Sequence, residues 1–101
     1  MNRAIVLSAE AQAQLNDLYD HIAAAASPAI ALHFTNAILD QLETLRDFPY
    51  LGISREDILP GLRTIGFRRR VTLAFVVEPT DVLIVGIFYG GQDFETLLQS
   101  D

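Results

Sequence analysis

Two apolar stripes of helical spacing, separated only by Ser27-Pro28, constrain this chain more than any other feature. The first runs through Leu15, Leu18, Ile22 and Ala25, with Ala11 one turn earlier. The second runs through Ala31, Phe34, Ile38, Leu42 and Leu45. Recurrence every three or four residues marks a helix with one buried face. Ser8 is a suitable N-cap, and Glu10 in the first turn suits the helix dipole. Ser27 caps the second helix. Pro28 fits its first turn, where no N–H is needed. The second helix should end near Asp47, before Phe48-Pro49. So short a connection predicts an antiparallel helical hairpin.

The remaining segments read as strands. Residues 4–7 form a short first one. Residues 48–60, with two prolines and one glycine, read as a connecting loop. Leu62 to Phe67 follows as a strand. From Val71 to Val77 apolar side chains alternate, with Val71, Leu73, Phe75 and Val77 on one face. Pro79-Thr80-Asp81 is a turn. Val82 to Tyr89 is a nearly continuous apolar strand, closed by Gly90-Gly91. Asp93 to Leu98 reads as a last helical turn or a short tail. The expectation is one α+β domain over residues 1–101, in the order β-α-α-β-β-β. The helical hairpin covers one face of an antiparallel sheet. The opposite face should hold Thr72, Ala74 and Val76 beside Val82, Ile84, Gly86 and Phe88. Half of the residues are hydrophobic, so this second face is expected to be covered by a partner.

Charge adds a contrast. The chain has a net charge of −6, with seven arginines and no lysine. Long-range attraction to nucleic acid is therefore excluded. Yet Arg55, Arg63, Arg68, Arg69 and Arg70 fall close together in sequence and suggest one basic patch. There is no cysteine, which excludes disulfides and thiolate metal sites and makes the cytoplasm the default compartment. No run approaches the ~20 apolar residues of a membrane span. The apolar run after Met1-Asn2-Arg3 is too short for a secretion signal. His21 and His33 have no third ligand nearby in sequence, so no metal site is expected.

One ordered set of residues carries more. Leu45, Pro49, Gly52 and Arg55 are followed by Pro60-Gly61-Leu62-Arg63. Arg70 then opens a Val-Thr-Leu-Ala-Phe-Val-Val strand, and Val85-Gly86-Ile87-Phe88-Tyr89-Gly90-Gly91-Gln92-Asp93 closes the set. Leu7-Ser8 precedes a helix with Asp17-Leu18 and Ile22. This pattern resembles the ParE/RelE family of bacterial toxins over nearly the whole chain. The resemblance implies a microbial-ribonuclease-like sheet with a helical hairpin. It also implies a cognate ParD-like antitoxin with a ribbon-helix-helix DNA-binding part and a C-terminal tail that wraps the toxin. Members of the RelE branch cut mRNA on the ribosome, whereas members of the ParE branch inhibit DNA gyrase. No cofactor is implied, and the toxin alone is not expected to bind DNA specifically.

Chemistry favours the ParE branch. RNA cleavage needs a general base, a proton donor and cations around the phosphate. The nuclease alternative would use Arg63, Arg70 and Tyr89. Arginine is too basic to abstract a proton, and both histidines lie in the helices, away from the late strands. A non-catalytic inhibitor is therefore expected, with an inactive antitoxin-binding relative as a further alternative. Candidate contacts to target or antitoxin are Arg55, Arg63, Arg68, Arg69, Arg70, Val76, Phe88 and Tyr89. Arg68-Arg69-Arg70 reads equally well as a solvated turn. Arg63, on a half-buried strand, should pair with a carboxylate, Asp93 or Glu78. Tyr89 should pack its ring and leave its hydroxyl at the rim.

Overall fold

The computed structural model describes residues 3–90 and Leu98. Helix α1 spans Ala9–Ala25 and α2 spans Pro28–Glu43, extended by a 3-10 turn at Thr44–Arg46. Both expected caps are made. The Ser8 hydroxyl accepts from Ala11 N at 3.0 Å, and the Ser27 hydroxyl accepts from Ile30 N at 3.1 Å. Such a cap contributes about 1 kcal/mol. The stripes are buried where expected, at Ala11, Leu15 and Leu18 on α1 and at Ala31, Ile38 and Leu42 on α2. Thr35 is the polar residue on the buried face of α2. Its hydroxyl donates back to Ala31 O at 3.0 Å, so its burial leaves nothing unsatisfied. No helix among the described residues is long and apolar enough to cross a membrane.

Among the described residues the sheet has five strands, one more than expected from the sequence. They are β1 (Ala4–Leu7), β2 (Ile53–Ser54), β3 (Leu62–Phe67), β4 (Val71–Val77) and β5 (Asp81–Tyr89), in the spatial order β1-β5-β4-β3-β2. The last three form the expected antiparallel meander. The extra strand, β2, lies inside the segment read as a loop, and two residues are too few to show a period. Strand β1 pairs parallel to β5, with Ala4 opposite Asp81. Helices α1 and α2 cover one face, and their core joins Leu15, Ile38 and Leu42 to Leu73, Phe75, Val82 and Ile84.

Two expectations about the opposite face fail. First, Val82 and Ile84 belong to the helix-covered core. The pairing passes from Ala74↔Gly86 to Phe75↔Ile84, so Val85 is an extra residue in β5. A bulge of one residue moves every side chain beyond it to the other face. Gly86 and Phe88 keep their expected face. Second, that face is not bare. Phe88, Ala74, Leu62 and Ile58 are buried there, with Leu59, Val76, Val85 and Leu98 packed around them. The chain's own 55–60 segment supplies cover that the sequence reading assigned to a partner. The Phe88 ring lies over Gly86, where a Cβ would run into it.

Candidate functional site

The arginines that cluster in sequence divide in space. Strand β3 separates Arg63 at its start from Arg68 just past its end. At ~3.3 Å per residue this is roughly 17 Å. Two basic surfaces result, one at each end of the β3–β4 hairpin.

The tip of the hairpin is the turn Phe67-Arg68-Arg69-Arg70, closed by Arg70 N donating to Phe67 O at 3.1 Å. Arg68 and Arg69 both have left-handed backbone, with φ of 50° and 59°. Asn-Gly is the sequence that fits such a turn at least cost, and a residue with a Cβ is strained there by about 1 kcal/mol. The Arg68 guanidinium lies over the rings of Phe67 and Phe34, at 5.0 and 5.8 Å from their centroids. Those rings meet edge to face at 5.6 Å. Arg69 and Arg70 are exposed.

Tyr89 lies opposite Val71, and Gly90 N donates to Arg70 O at 2.7 Å, so the end of β5 abuts the tip. The sequence reading sets the histidines apart from the late strands. For His21 this is wrong: its ring is 5.8 Å from that of Tyr89, centroid to centroid. Helix α1 crosses β5, and the periodicity of a helix does not reveal which strand it will cross. Two cavities flank the His21–Tyr89 pair. One, of about 300 Å³, is lined by Ile22, Ile30, Phe34 and Arg70. The other, of about 190 Å³, is lined by Gln14, Asp17, Leu18 and Ile87. Gln14 fixes this region, its side-chain oxygen accepting from Ile87 N at 2.7 Å. Sequence reasoning passed over Gln14, whose signal is its position beside the apolar stripe. His33 is exposed on α2.

At the other end, Arg63 makes neither expected ion pair. It donates to three backbone carbonyls, those of Tyr50 (2.7 Å), Leu51 (3.2 Å) and Gly52 (3.2 Å). The Glu78 backbone carbonyl instead accepts from Arg3 Nε at 2.8 Å. Asp93, the other proposed partner, lies outside the described residues. The reason for the change is covering. The connecting segment folds over Arg63, and its carbonyls satisfy the guanidinium. The Arg63 and Arg3 guanidiniums also lie 5.8 and 5.9 Å from the Tyr50 ring centroid.

Arg55 binds both oxygens of Asp57, at 3.0 Å each. The Asp57 carboxyl is thereby held below its ordinary pKa, chiefly by this hydrogen bond. Of the remaining candidates, Val76 is half-buried and Phe88 is buried, so neither is the open contact that the sequence suggested. Arg46 pairs with Glu43 at 2.8 Å. Among the described residues, Arg3, Arg63, Arg68, Arg69 and Arg70 have no carboxylate within ion-pair distance.

A family profile, the ParE toxin of the type II toxin–antitoxin system parDE, matches residues 5–94. The chain belongs to the ParE toxin family. It is the toxin component of a type II toxin–antitoxin system, as the resemblance implied. Among solved structures, this ParE toxin is similar to a chain described as the chromosomal ParDE TA system from P. aeruginosa. The two share 26% identity and a TM-score of 0.76, over 87% of this chain and 96% of that one. Comparison with curated protein sequences gave no match.

Proposed function

We propose that this ParE toxin arrests growth by binding DNA gyrase in the cytoplasm and that it carries out no bond-breaking chemistry of its own. The observation that carries this reading is the separation of the arginines. A phosphoryl-transfer site gathers its cations around one phosphate. Here Arg63 holds the 50–52 carbonyls, roughly 17 Å along β3 from the hairpin tip that holds Arg70. Unpaired guanidiniums on an otherwise acidic chain suit recognition of an acidic protein surface.

The antitoxin is proposed to be ParD-like, with a ribbon-helix-helix part and a tail that orders on the toxin. The exposed Ile30 of α2, which lines a cavity with Arg70, together with the Arg68-Arg69-Arg70 tip, fits an amphipathic acidic tail. The P. aeruginosa relative is itself described as a ParDE system.

One observation favours a second reading. His21 beside Tyr89, with Arg70 on the same cavity, places an imidazole against the late strands. A ribosome-dependent RNA cleavage could use that trio. Purified toxin is therefore assayed for inhibition of gyrase supercoiling and for cleavage of ribosome-bound message. Inhibition of supercoiling with intact message is the expected result. Cleaved message with unaffected gyrase would overturn the proposal. In that case, loss of cleavage in His21→Ala would identify the base.

A further inference from the structure

The segment from Phe48 to Ile53 carries the three most exposed large apolar side chains among the described residues. They are Phe48 at 63%, Tyr50 at 64% and Ile53 at 68%. Flexible apolar loops fold inward or pay little for staying out, but this loop is held. Pro49 is buried beneath it. Arg63 grips three successive carbonyls. Gly52 has φ +82° and lies so close to the Thr64 carbonyl that no Cβ would fit between them. The loop ends in β2, whose outer side has no strand neighbour among the described residues.

Arginines and acids both border the loop, the exposed Asp47 beside Phe48 among them, but the side chains that lie against its central ring are guanidiniums. Arg3 and Arg63 flank the Tyr50 ring without a carboxylate partner. Glu56 borders the adjacent cavity, but its carboxylate accepts from Gly61 N at 3.1 Å. Aromatic and arginine side chains, preorganised and open to solvent, are the usual makeup of a binding hot spot.

We propose that Phe48, Tyr50 and Ile53, with Arg3 and Arg63, form a preformed docking surface for the toxin's cellular target, a protein presenting carboxylates around an apolar groove. This rests on the reading that the toxin acts by binding. The surface lies at the opposite end of the β3–β4 hairpin from the tip assigned to the antitoxin tail. Target and antitoxin therefore meet different parts of the chain.

The test is controlled expression of Tyr50→Ala, Ile53→Ser and Arg3→Glu beside the wild type, with circular dichroism to verify folding. Tyr50 and Ile53 are exposed and Arg3 is half-buried, so the loop can be changed without opening the core, and the spectra identify any variant that loses its fold. Each should require at least tenfold more protein to arrest growth. With purified gyrase, each should raise the half-inhibitory concentration at least tenfold, and added salt should weaken the wild type. Folded variants that arrest growth like the wild type overturn the proposal. So do variants that keep arresting growth but no longer bind antitoxin, since the loop then belongs to the antitoxin. A wild-type toxin that arrests growth yet leaves purified gyrase untouched refutes gyrase as the target, and growth arrest by the variants still decides the loop. A wild-type chain that leaves growth unaffected overturns both.

Discussion

Replacing Arg63 separates a geometric role from a simple charge. Its guanidinium donates three hydrogen bonds to the Tyr50, Leu51 and Gly52 carbonyls and lies near the Tyr50 ring. Hydrogen bonds from a charged donor contribute roughly 1.5–3 kcal/mol when buried. These are open to water, so about 0.5 kcal/mol each is a fair share after competition with solvent. A cation–π contact at the surface adds about 0.5 kcal/mol. Arg63→Ala should therefore cost about 2 kcal/mol, which lowers the melting temperature of a domain this small by roughly 10 °C. Arg63→Lys keeps the charge but cannot span three carbonyls, because lysine is a point donor without a planar fork. It should recover less than half of the loss. Thermal denaturation gives the totals. Amide exchange at Leu51, whose N–H donates to Phe48 O, and at Arg55, whose N–H donates to Leu62 O, reports where the loss falls. Both amides should exchange faster in Arg63→Ala, while the α1 amides keep their relative protection. Full rescue by lysine would refute the clamp, because an ion pair tolerates lysine and a fork of carbonyls does not.

Three further perturbations test other parts of the structure. Gly86→Ala drives a methyl group into the Phe88 ring and should cost about 1–3 kcal/mol. In a Phe88→Leu background most of that cost should vanish, and a double-mutant cycle by urea denaturation measures the coupling. Arg69→Gly relieves a left-handed backbone and should raise stability by roughly 0.5 kcal/mol after the entropy of glycine is subtracted. Weaker antitoxin binding in this more stable variant would show that the turn is kept arginine-rich for contact. The Asp57 carboxyl should titrate below its ordinary value of 3.8, and Arg55→Ala should raise its midpoint in an NMR titration. Because the folded pKa is the lower one, the stabilising effect is complete above the unfolded value. It disappears as pH falls through the folded one.

The helices were legible because their information is local. Stripe, cap and stop lie within a few residues of one another, and Ser8, Ser27 and Pro28 do what their chemistry suggests. The strands of the meander were legible for the same reason. What failed depends on pairing at a distance. The extra residue at Val85 has no signature in an unbroken apolar run, yet it exchanges the faces of Val82 and Ile84. The ion pair expected for Arg63 was the right demand with the wrong acceptors. A half-buried guanidinium still needs oxygens to accept its N–H groups, and three backbone carbonyls supply them as a carboxylate would. The basic patch divided because Arg63 and Arg68 bracket a strand, which extends the chain rather than folding it back. His21 met Tyr89 through the crossing of α1 over β5, a tertiary fact with no local trace.

The parallel pairing of β1 with β5 has a consequence for the order of events during synthesis. Ala4 emerges from the ribosome well before its partner Asp81, which follows 77 positions later, the difference between 81 and 4. Strand β5 is also the strand between β1 and β4, and it forms part of the floor against which α1 packs. A nascent chain that lacks β5 leaves β1 without its partner and the core without Val82, Ile84 and Ile87. Pairing so distant in sequence is slow to form. The core beneath the helices thus closes only once β5 has been translated, and a chain truncated before Asp81 should not complete the fold.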